Sequence, residues 1–255
     1  MLQQTQAARV APAFRRFLRR FPSLRSLARA PRRDVIRAWA GLGYNRRAVS
    51  LAEAGRTIVL DHGGRVPRDP AILRTLPGVG PYTAAAVASM AYGEPVAALD
   101  VNVRRVVARA RLGVEPFEAG VAATDAAASA WLDRRDPGAW NQALMDLGRE
   151  VCRPMPRCGT CPIGAGCLFR RSGRTPSSPA RRQAPFEGSL RQLRGGIVSA
   201  LRQHRSMSVG ALASSVGEPI HRVRDALHGL CADRLVTAEP SALAVWSDGR
   251  VRLPD

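Results

Sequence analysis

Apolar residues recur at helical spacing through the first 112 residues of the chain, and they predict a run of short amphipathic helices. In RVAPAFRRFLRRF the apolar positions are Val10, Phe14, Phe17, Leu18 and Phe21. Further helices are predicted at RDVIRAWAGLG, AVSLAEAGRTIVLDHGG and VNVRRVVARARLG, and glycines mark their ends. Because no strand pattern occurs before residue 235, the sequence predicts an all-α body, which helices at 117–133 and 138–150 complete.

The pattern changes after residue 170. RRSGRTPSSPARRQAP lacks periodic apolar residues and is rich in Arg, Pro and Ser, which predicts a linker over residues 170–187. Three amphipathic helices follow, and then the alternating segment ALAVWSDGRVRL, whose Asp-Gly pair predicts a hairpin. Residues 188–255 are therefore predicted to form a small winged-helix-like α+β domain, with Cys231 as a core residue beside Leu227 and Leu230.

A glycine turn between two helices is the first candidate for a binding function. In LPGVGPYTAAA, Pro77 and Pro81 bracket Gly78, Val79 and Gly80, and Pro81 stands where a helix would begin. Glycines let the backbone approach a ligand closely, so we expect exposed N–H groups of Val79, Gly80 and the first helical turn to form a cradle for a DNA phosphate. The alternative is a tight interhelical turn without a ligand.

The charge of the chain favours the phosphate interpretation. The formal net charge is +19, and all 39 basic residues are arginine. Such a field attracts polyanions, so nucleic acid is the first candidate partner and an anionic membrane surface the second. No apolar run reaches the roughly 20 residues that span a bilayer, and no secretory signal is visible, which predicts a cytoplasmic protein. Because lysine does not occur, no side-chain amine is available for Schiff-base chemistry.

Four of the five cysteines fall in one short segment, CRPMPRCGTCPIGAGC. Their spacing, Cys152-x5-Cys158-x2-Cys161-x5-Cys167, suits a [4Fe–4S] cluster, which is held by four thiolates. A tetrahedral zinc site is the metal alternative, although zinc modules usually carry two close pairs. Inert cysteines are the third interpretation, and disulfides are disfavoured in a reducing compartment.

These segments together resemble the MutY-type adenine DNA glycosylases of the helix-hairpin-helix glycosylase superfamily. The matching segments cover residues 1–170 and are MLQQTQ, WAGLGYNRRA, LPGVGPYTA, LDVNVRRVVAR and NQALMDLGREVC. The resemblance implies a six-helix domain over residues 1–113 and an iron–sulfur cluster domain over residues 114–169. It favours the [4Fe–4S] cluster over zinc, although the family's first cysteine spacing is one residue longer.

The resemblance also implies a reaction and its residues. The family binds double-stranded DNA with adenine opposite 8-oxoguanine or guanine, extrudes the adenine and hydrolyses its N-glycosidic bond. The role of stabilising the oxocarbenium-like transition state maps onto Asp100, which local spacing also predicts as a helix N-cap. Asn102 would orient the aspartate or the water, and Tyr82 would line the same pocket. Strand-cutting relatives carry lysine at the position of Tyr82, so tyrosine indicates a monofunctional enzyme.

By the same correspondence, Gln4 and Tyr44 would wedge into the duplex near the lesion, with Thr5 beside them. The alternatives are a solvated helix face for Gln4 and Thr5, and core packing for Tyr44. Asn45 stands where the family usually has a second tyrosine, so we expect a packing or DNA contact to be weaker. A monomer associated with the bacterial nucleoid is the expected form.

Two departures from the family pattern bear on function. The family's general acid is a glutamate two positions before the Met-Leu-Gln-Gln-Thr segment, a position before Met1, so we expect either an upstream in-frame glutamate codon or a weakly active truncated chain. Residues 188–255 do not resemble the Nudix-like domain with which other members read 8-oxoguanine. A mismatch thymine glycosylase and a non-catalytic DNA-binding protein are the alternative functions.

Overall fold

The structure is a computed structural model that describes residues 1–177, 185–244 and 248–255. It contains two compact units, of which the first comprises Met1–Arg65 and Arg182–Asp255 and the second Val66–Arg181. The domain boundaries inferred from the sequence at residues 113, 169 and 187 stay a prediction. Within the described ranges, no helix has both the length and the apolar character needed to cross a membrane.

The elements follow the chain in three groups. The N-terminal helices are α1 (Ala7–Arg20), α2 (Leu24–Arg29), α3 (Arg32–Ala38) and α4 (Arg46–Asp61). The middle group contains α5 (Pro70–Leu73), α6 (Pro81–Tyr92), α7 (Val101–Val107), a π-helical segment (Ala108–Leu112), α8 (Val121–Trp131), α9 (Pro137–Glu150), 3₁₀ turns at Cys158–Thr160 and Gly164–Gly166, and α10 (Leu168–Arg171). The last group contains α11 (Leu190–Gln203), β1 (Met207–Ser208), α12 (Val209–Val216), α13 (Ile220–Ala232), β2 (Thr237–Ala238), α14 (Pro240–Leu243) and β3 (Arg250–Arg252).

This order confirms the predicted helical body and the predicted α+β organisation of the C-terminal part. Two details are wrong. A strand, β1, precedes residue 235, and the partners of β3 are β1 and β2, in the antiparallel order β1-β3-β2. The first two residues of the predicted hairpin, Ala242 and Leu243, instead end helix α14, which begins at Pro240. Residues 245–247 of the predicted hairpin lie outside the described residues.

The core of the first unit joins helices from both ends of the chain. Phe17 and Phe21 of the α1 region pack in ring contact, and Phe17 also meets the buried Trp39 edge to face. Phe14 and Leu18, which the spacing places on the same face, are 49% and 46% exposed. The buried face is narrower than predicted because it follows Val10, Ala13 and Phe17 at intervals of three and four.

The C-terminal helices belong to this same core. Ile197, Leu201, Leu212, Leu227 and Leu230 are fully buried in it, and Cys231 is half-buried against it, as predicted. Arg202 of α11 donates from Nε to the carbonyl of Ile36 at 3.1 Å and from its terminal nitrogen to Asn45 Oδ1 at 2.8 Å. Burial lowers the pKa of Arg202. The C-terminal part is thus fastened to the end of α3 and the start of α4.

In the second unit, α7 packs against α9. Val103, Val106 and Val107 of α7 are buried against Leu144 and Leu147 of α9, as the helical spacing predicts for the valines. The two helices lie close together at Gly148, where a Cβ atom would lie 2.9 Å from Asn102 Cβ and 3.0 Å from the Asn102 carbonyl oxygen. A side chain at position 148 would therefore displace the start of α7.

Candidate functional site

The glycine hairpin lies between α5 and α6, as predicted. Gly78 has φ of +76°, a conformation that residues with a Cβ atom rarely adopt, and Gly80 precedes Pro81 at the first position of α6. The prediction of an exposed Val79 N–H group is wrong, because this group donates to the Leu76 carbonyl at 3.1 Å inside the turn. The N-cap residue of α6 is Gly80, which has no side chain to cap the helix, so a phosphate cradle would rely on Gly80 and the helix start.

Asp100 is the N-cap of α7, which confirms the local prediction. Its Oδ1 accepts the backbone N–H groups of Asn102 at 2.9 Å and of Val103 at 2.7 Å. Its Oδ2 accepts the side-chain amide of Asn102 at 3.2 Å. The carboxylate is half-buried and is thereby held in one orientation, with the negative charge at the positive end of the helix dipole.

A buried asparagine holds the segment that leads to Asp100. Asn141 of α9 is fully buried, and its Oδ1 accepts the N–H of Ala98 at 2.7 Å. Its Nδ2 donates to Ser89 Oγ, to the Val96 carbonyl and to the Pro137 carbonyl at 2.9–3.0 Å. Because every hydrogen-bonding atom of this amide has a partner, residues 96–98 are fixed to α9.

Tyr82, on the first turn of α6, lies within electrostatic range of Asp100. Burial raises the pKa of the Tyr82 phenol, and the negative charge of Asp100 acts in the same direction. The half-buried Tyr82 hydroxyl donates to the sulfur of Met145 at 3.5 Å. The helix after the hairpin and the helix capped by Asp100 therefore bring these two predicted residues together with Asn102.

Arg105 connects this group to the cysteine segment. One terminal nitrogen donates to Asn102 Oδ1 at 2.9 Å and to the Gly148 carbonyl at 2.8 Å, and Nε donates to the Cys152 carbonyl at 2.7 Å. Desolvation by burial lowers the pKa of Arg105. A continuous chain of hydrogen bonds thus runs from Asp100 through Asn102 and Arg105 to the first cysteine of the loop.

All four cysteines of the loop line one cavity in the second unit. The cavity is partly open to solvent, and its other walls include Val106, Ile163 and Phe169. Cys152, Cys158, Cys161 and Cys167 are each half-buried, and burial raises the pKa of the Cys152 thiol while the charge of Arg109 acts in the opposite direction. Four thiols around one apolar cavity fit the ligand set of a [4Fe–4S] cluster. Among the described side chains, however, no three of His, Cys, Asp or Glu are arranged to hold a single metal ion.

The π-helical segment places a buried arginine beside this cavity. Arg109 is 2% exposed, and its guanidinium donates to both carboxylate oxygens of Glu115, at 3.1 and 2.8 Å. It also donates to the carbonyls of Arg153 at 2.7 Å and Pro154 at 3.0 Å. The guanidinium lies 5.3 Å from the centre of the Phe169 ring. This ion pair therefore supports the short loop between Cys152 and Cys158 from inside the protein.

The predicted wedge residues belong to the first unit. Gln4 is exposed, and Thr5 Oγ1 donates to the Leu42 carbonyl at 3.3 Å. Tyr44 is 50% exposed, so the core-packing alternative for Tyr44 is wrong. Asn45 accepts a hydrogen bond from Arg202 through its side-chain oxygen. Arg47 donates hydrogen bonds both to the N-terminal residues 1–5 and to residues 42–43 before Tyr44, and burial lowers its pKa.

Sequence reasoning missed four residues of this arrangement: Arg47, Arg105, Arg109 and Gly148. Arginines are too frequent in this chain for their type to single out the buried ones. A local signal exists for two of them only. Arg105 lies three residues after Asn102, and Arg109 lies four residues after Arg105, which places each pair on one helix face. Nothing in the local pattern marks the close approach of Gly148.

The hairpin, the capped aspartate and the helical body define a helix-hairpin-helix glycosylase of base excision repair. In agreement, residues 1–118 match the family model described as HhH-GPD superfamily base excision DNA repair protein. The chain is 42% identical over its whole length to the adenine DNA glycosylase of Mycobacterium tuberculosis, of which it covers 83%. The chain belongs to the adenine DNA glycosylase family.

Solved structures agree with the fold. A thermostable thymine-DNA glycosylase is 29% identical, with a TM-score of 0.62 over 67% of this chain and 80% of that one. An endonuclease III in a non-covalent complex with DNA is 23% identical, with a TM-score of 0.57 over 67% of this chain and 79% of that one. The second likeness supports the fold alone.

Proposed function

We propose that this protein is a monofunctional glycosylase that removes adenine paired with 8-oxoguanine or guanine. The observation that carries the proposal is the Asp100 carboxylate, held by three hydrogen bonds at the start of α7 and within electrostatic range of Tyr82. Membership of the adenine DNA glycosylase family supports the choice of base. The proposed substrate is double-stranded DNA, in which the base must be extruded from the stack before its glycosidic bond can be reached.

Asp100 stabilises the positive charge that develops on the sugar as the base departs. A carboxylate fixed beforehand in this way needs little reorganisation when the charge appears, and this makes its electrostatic effect large. Asn102 donates a hydrogen bond to Asp100 Oδ2 and accepts one from Arg105, so it orients the carboxylate rather than reacting. Tyr82 forms part of the wall beside the carboxylate.

The product is an intact strand with an abasic site. Strand cleavage by this superfamily requires an amine that forms an imine with the sugar, and none of the 255 residues is lysine. Tyr82 occupies the position at which the strand-cutting relatives carry the lysine. Alkali treatment is therefore needed to convert the product into a broken strand.

The cysteine cavity is the proposed site of a [4Fe–4S] cluster, held by Cys152, Cys158, Cys161 and Cys167. When bound, the cluster would cross-link the loop through its thiolate–iron bonds. Hydrolysis of a glycosidic bond has no redox step, so the role is structural. Arg109, which is paired with Glu115, donates to two carbonyls of the loop and so supports a first spacing one residue shorter than in the family.

Single-turnover release of adenine tests the proposal, with the natural full-length protein on duplexes that contain A:8-oxoguanine, A:G or T:G pairs. We expect release of adenine, and strand breaks only after alkali. Release of thymine instead would favour the alternative glycosylase, and binding without release would favour the non-catalytic alternative.

Asp100→Asn tests the residue. It keeps a good N-cap and removes the charge, so we expect a loss of about 100- to 10,000-fold in rate. Asp136→Asn is the matched control, because Asp136 caps α9 through the Ala139 N–H and serves no other proposed function. A fully active Asp100→Asn variant would contradict the role given to the carboxylate.

A further inference from the structure

The two predicted wedge residues occupy strained backbone positions. Gln4 has φ of 54° and Tyr44 has φ of 44°; the described chain contains one other non-glycine residue with positive φ, Arg234. This left-handed conformation is unfavourable for side chains with a Cβ atom and persists only where surrounding contacts enforce it. The group that enforces it should therefore contact both segments.

Arg47, on the first turn of α4, makes these contacts. One terminal nitrogen donates to the carbonyls of Met1 and Gln3, and the Met1 bond measures 3.0 Å. The other donates to Thr5 Oγ1 at 2.9 Å, to the Leu42 carbonyl at 3.0 Å and to the Gly43 carbonyl at 3.2 Å. One guanidinium thus binds residues 1–5, which contain Gln4, and residues 42–43, which precede Tyr44.

The guanidinium is also fixed between two aromatic rings. Its central carbon lies 5.4 Å from the centre of the Trp39 ring and 5.4 Å from the centre of the Tyr44 ring. Trp39 is 1% exposed and donates from Nε1 to the Gly43 carbonyl at 3.1 Å, so one ring is anchored in the core. The exposed Tyr44 ring is held against a rigid base through the cation.

The planar fork of arginine is what this arrangement uses. Two terminal nitrogens bind five oxygen atoms on two segments, whereas a lysine ammonium has three donors at a single point. Arg47 Nε is buried and has no hydrogen-bond partner in the described structure, so the contacts come from the terminal nitrogens. Replacement by lysine would keep the charge and lose the bridge.

We propose that Arg47 is a positioning residue that holds Gln4 and Tyr44 as one rigid element, and that this element opens the base stack beside the adenine. This inference rests on the proposed function. The strain at both positions then has a purpose, because side chains fixed in an exposed orientation insert between bases without an ordering cost at the time of binding. Arg47 itself acts through these residues and not on the base.

The test compares Arg47→Lys with Arg46→Lys in the full-length protein. Arg46 is the preceding residue on α4, is 74% exposed and contacts Asp233 at 3.4 Å. Adenine release is measured on a duplex with adenine opposite 8-oxoguanine and on a duplex with adenine opposite an abasic site, where the base is already poorly held. Base opening is measured through the fluorescence of 2-aminopurine placed beside 8-oxoguanine, a signal that requires no catalysis.

We expect Arg47→Lys to lose about 10- to 100-fold in rate on the paired adenine, the effect of losing one or two charge-assisted hydrogen bonds. Its rate on the unpaired adenine should stay within about threefold of the wild type, because the cost of opening the stack is then small. Its fluorescence increase should fall, and Arg46→Lys should match the wild type throughout.

Equal losses on both duplexes, or a wild-type fluorescence increase in Arg47→Lys, would overturn the inference. Where Arg47→Lys does not fold, Thr5→Val removes one contact of the same guanidinium and should show the same pattern with a smaller loss. A wild type that releases no adenine from either duplex would overturn the proposed function, whereas the fluorescence comparison still decides the role of Arg47.

Discussion

Replacement of Gly148 by alanine is expected to separate catalysis from stability. Gly148 lies on α9 where that helix passes close to α7, and the added Cβ would meet the Asn102 carbonyl oxygen at 3.0 Å and its carbonyl carbon at 3.1 Å. These atoms are backbone and cannot rotate away. The start of α7 must therefore move, and Asn102 moves with it.

The structure bounds the size of both effects. Crowding of this kind costs about 1–3 kcal/mol, and alanine recovers about 1 kcal/mol through its better helix propensity. The free energy of unfolding should therefore fall by no more than about 2 kcal/mol. The start of α7, with Asp100 and Asn102, must shift by a few tenths of an ångström relative to α9, which displaces the carboxylate from its place in the site. Because a misplacement of about 1 Å can cost about 100-fold in rate, a shift on this smaller scale is expected to cost up to about 10-fold.

Two measurements check this prediction: denaturant unfolding and single-turnover adenine release at saturating enzyme. Gly195→Ala is the control, since Gly195 lies within α11 and an added Cβ there meets no atom within 4 Å. The control should gain about 1 kcal/mol in stability and keep the wild-type rate. A wild-type rate in Gly148→Ala would refute the reasoning, because the approach of α9 would then not determine where Asn102 lies.

Four further results are expected. Arg105→Lys should lower the rate of adenine release about 10-fold or more with little change in KM, since the fork that holds Asn102 is lost while DNA contacts remain; equal changes in both would contradict this. Cys158→Ser should abolish the visible iron–thiolate absorbance of protein made with ample iron, and zinc without iron in the wild type would contradict the cluster. Burial and Asp100 raise the pKa of Tyr82, so the free energy of unfolding should fall as pH rises above about 10, the ordinary tyrosine value. The fall should be smaller in Tyr82→Phe, and denaturant unfolding at several pH values measures it. The logarithm of the DNA affinity should fall with the logarithm of salt concentration, with a slope of about −0.9 per phosphate contact, and a flat response would contradict phosphate binding.

Local sequence determined the parts of this protein that local geometry controls. The helical spacing of apolar residues predicts α4, α7 and α9 closely, because each hydrogen bond of a helix joins residues four apart. The N-cap role of Asp100 follows from its place before VNVRR, since its partners are two and three residues away. The glycine hairpin and the four-cysteine loop are also contiguous motifs, and the resemblance to known glycosylases rests on such motifs.

Tertiary structure decided which of many similar residues became buried and with what partner. Arg109 reaches carbonyls 44 and 45 residues further along, Arg47 reaches residues 42 to 46 positions before it, and β3 pairs with residues of β1 that lie 42 and 44 positions earlier. Contacts of this range depend on how helices pack, and no local pattern of arginines or glycines encodes them. Phe14 and Leu18 stayed exposed for the same reason: helical spacing selects a face, but only the neighbouring helices set how wide a face they cover.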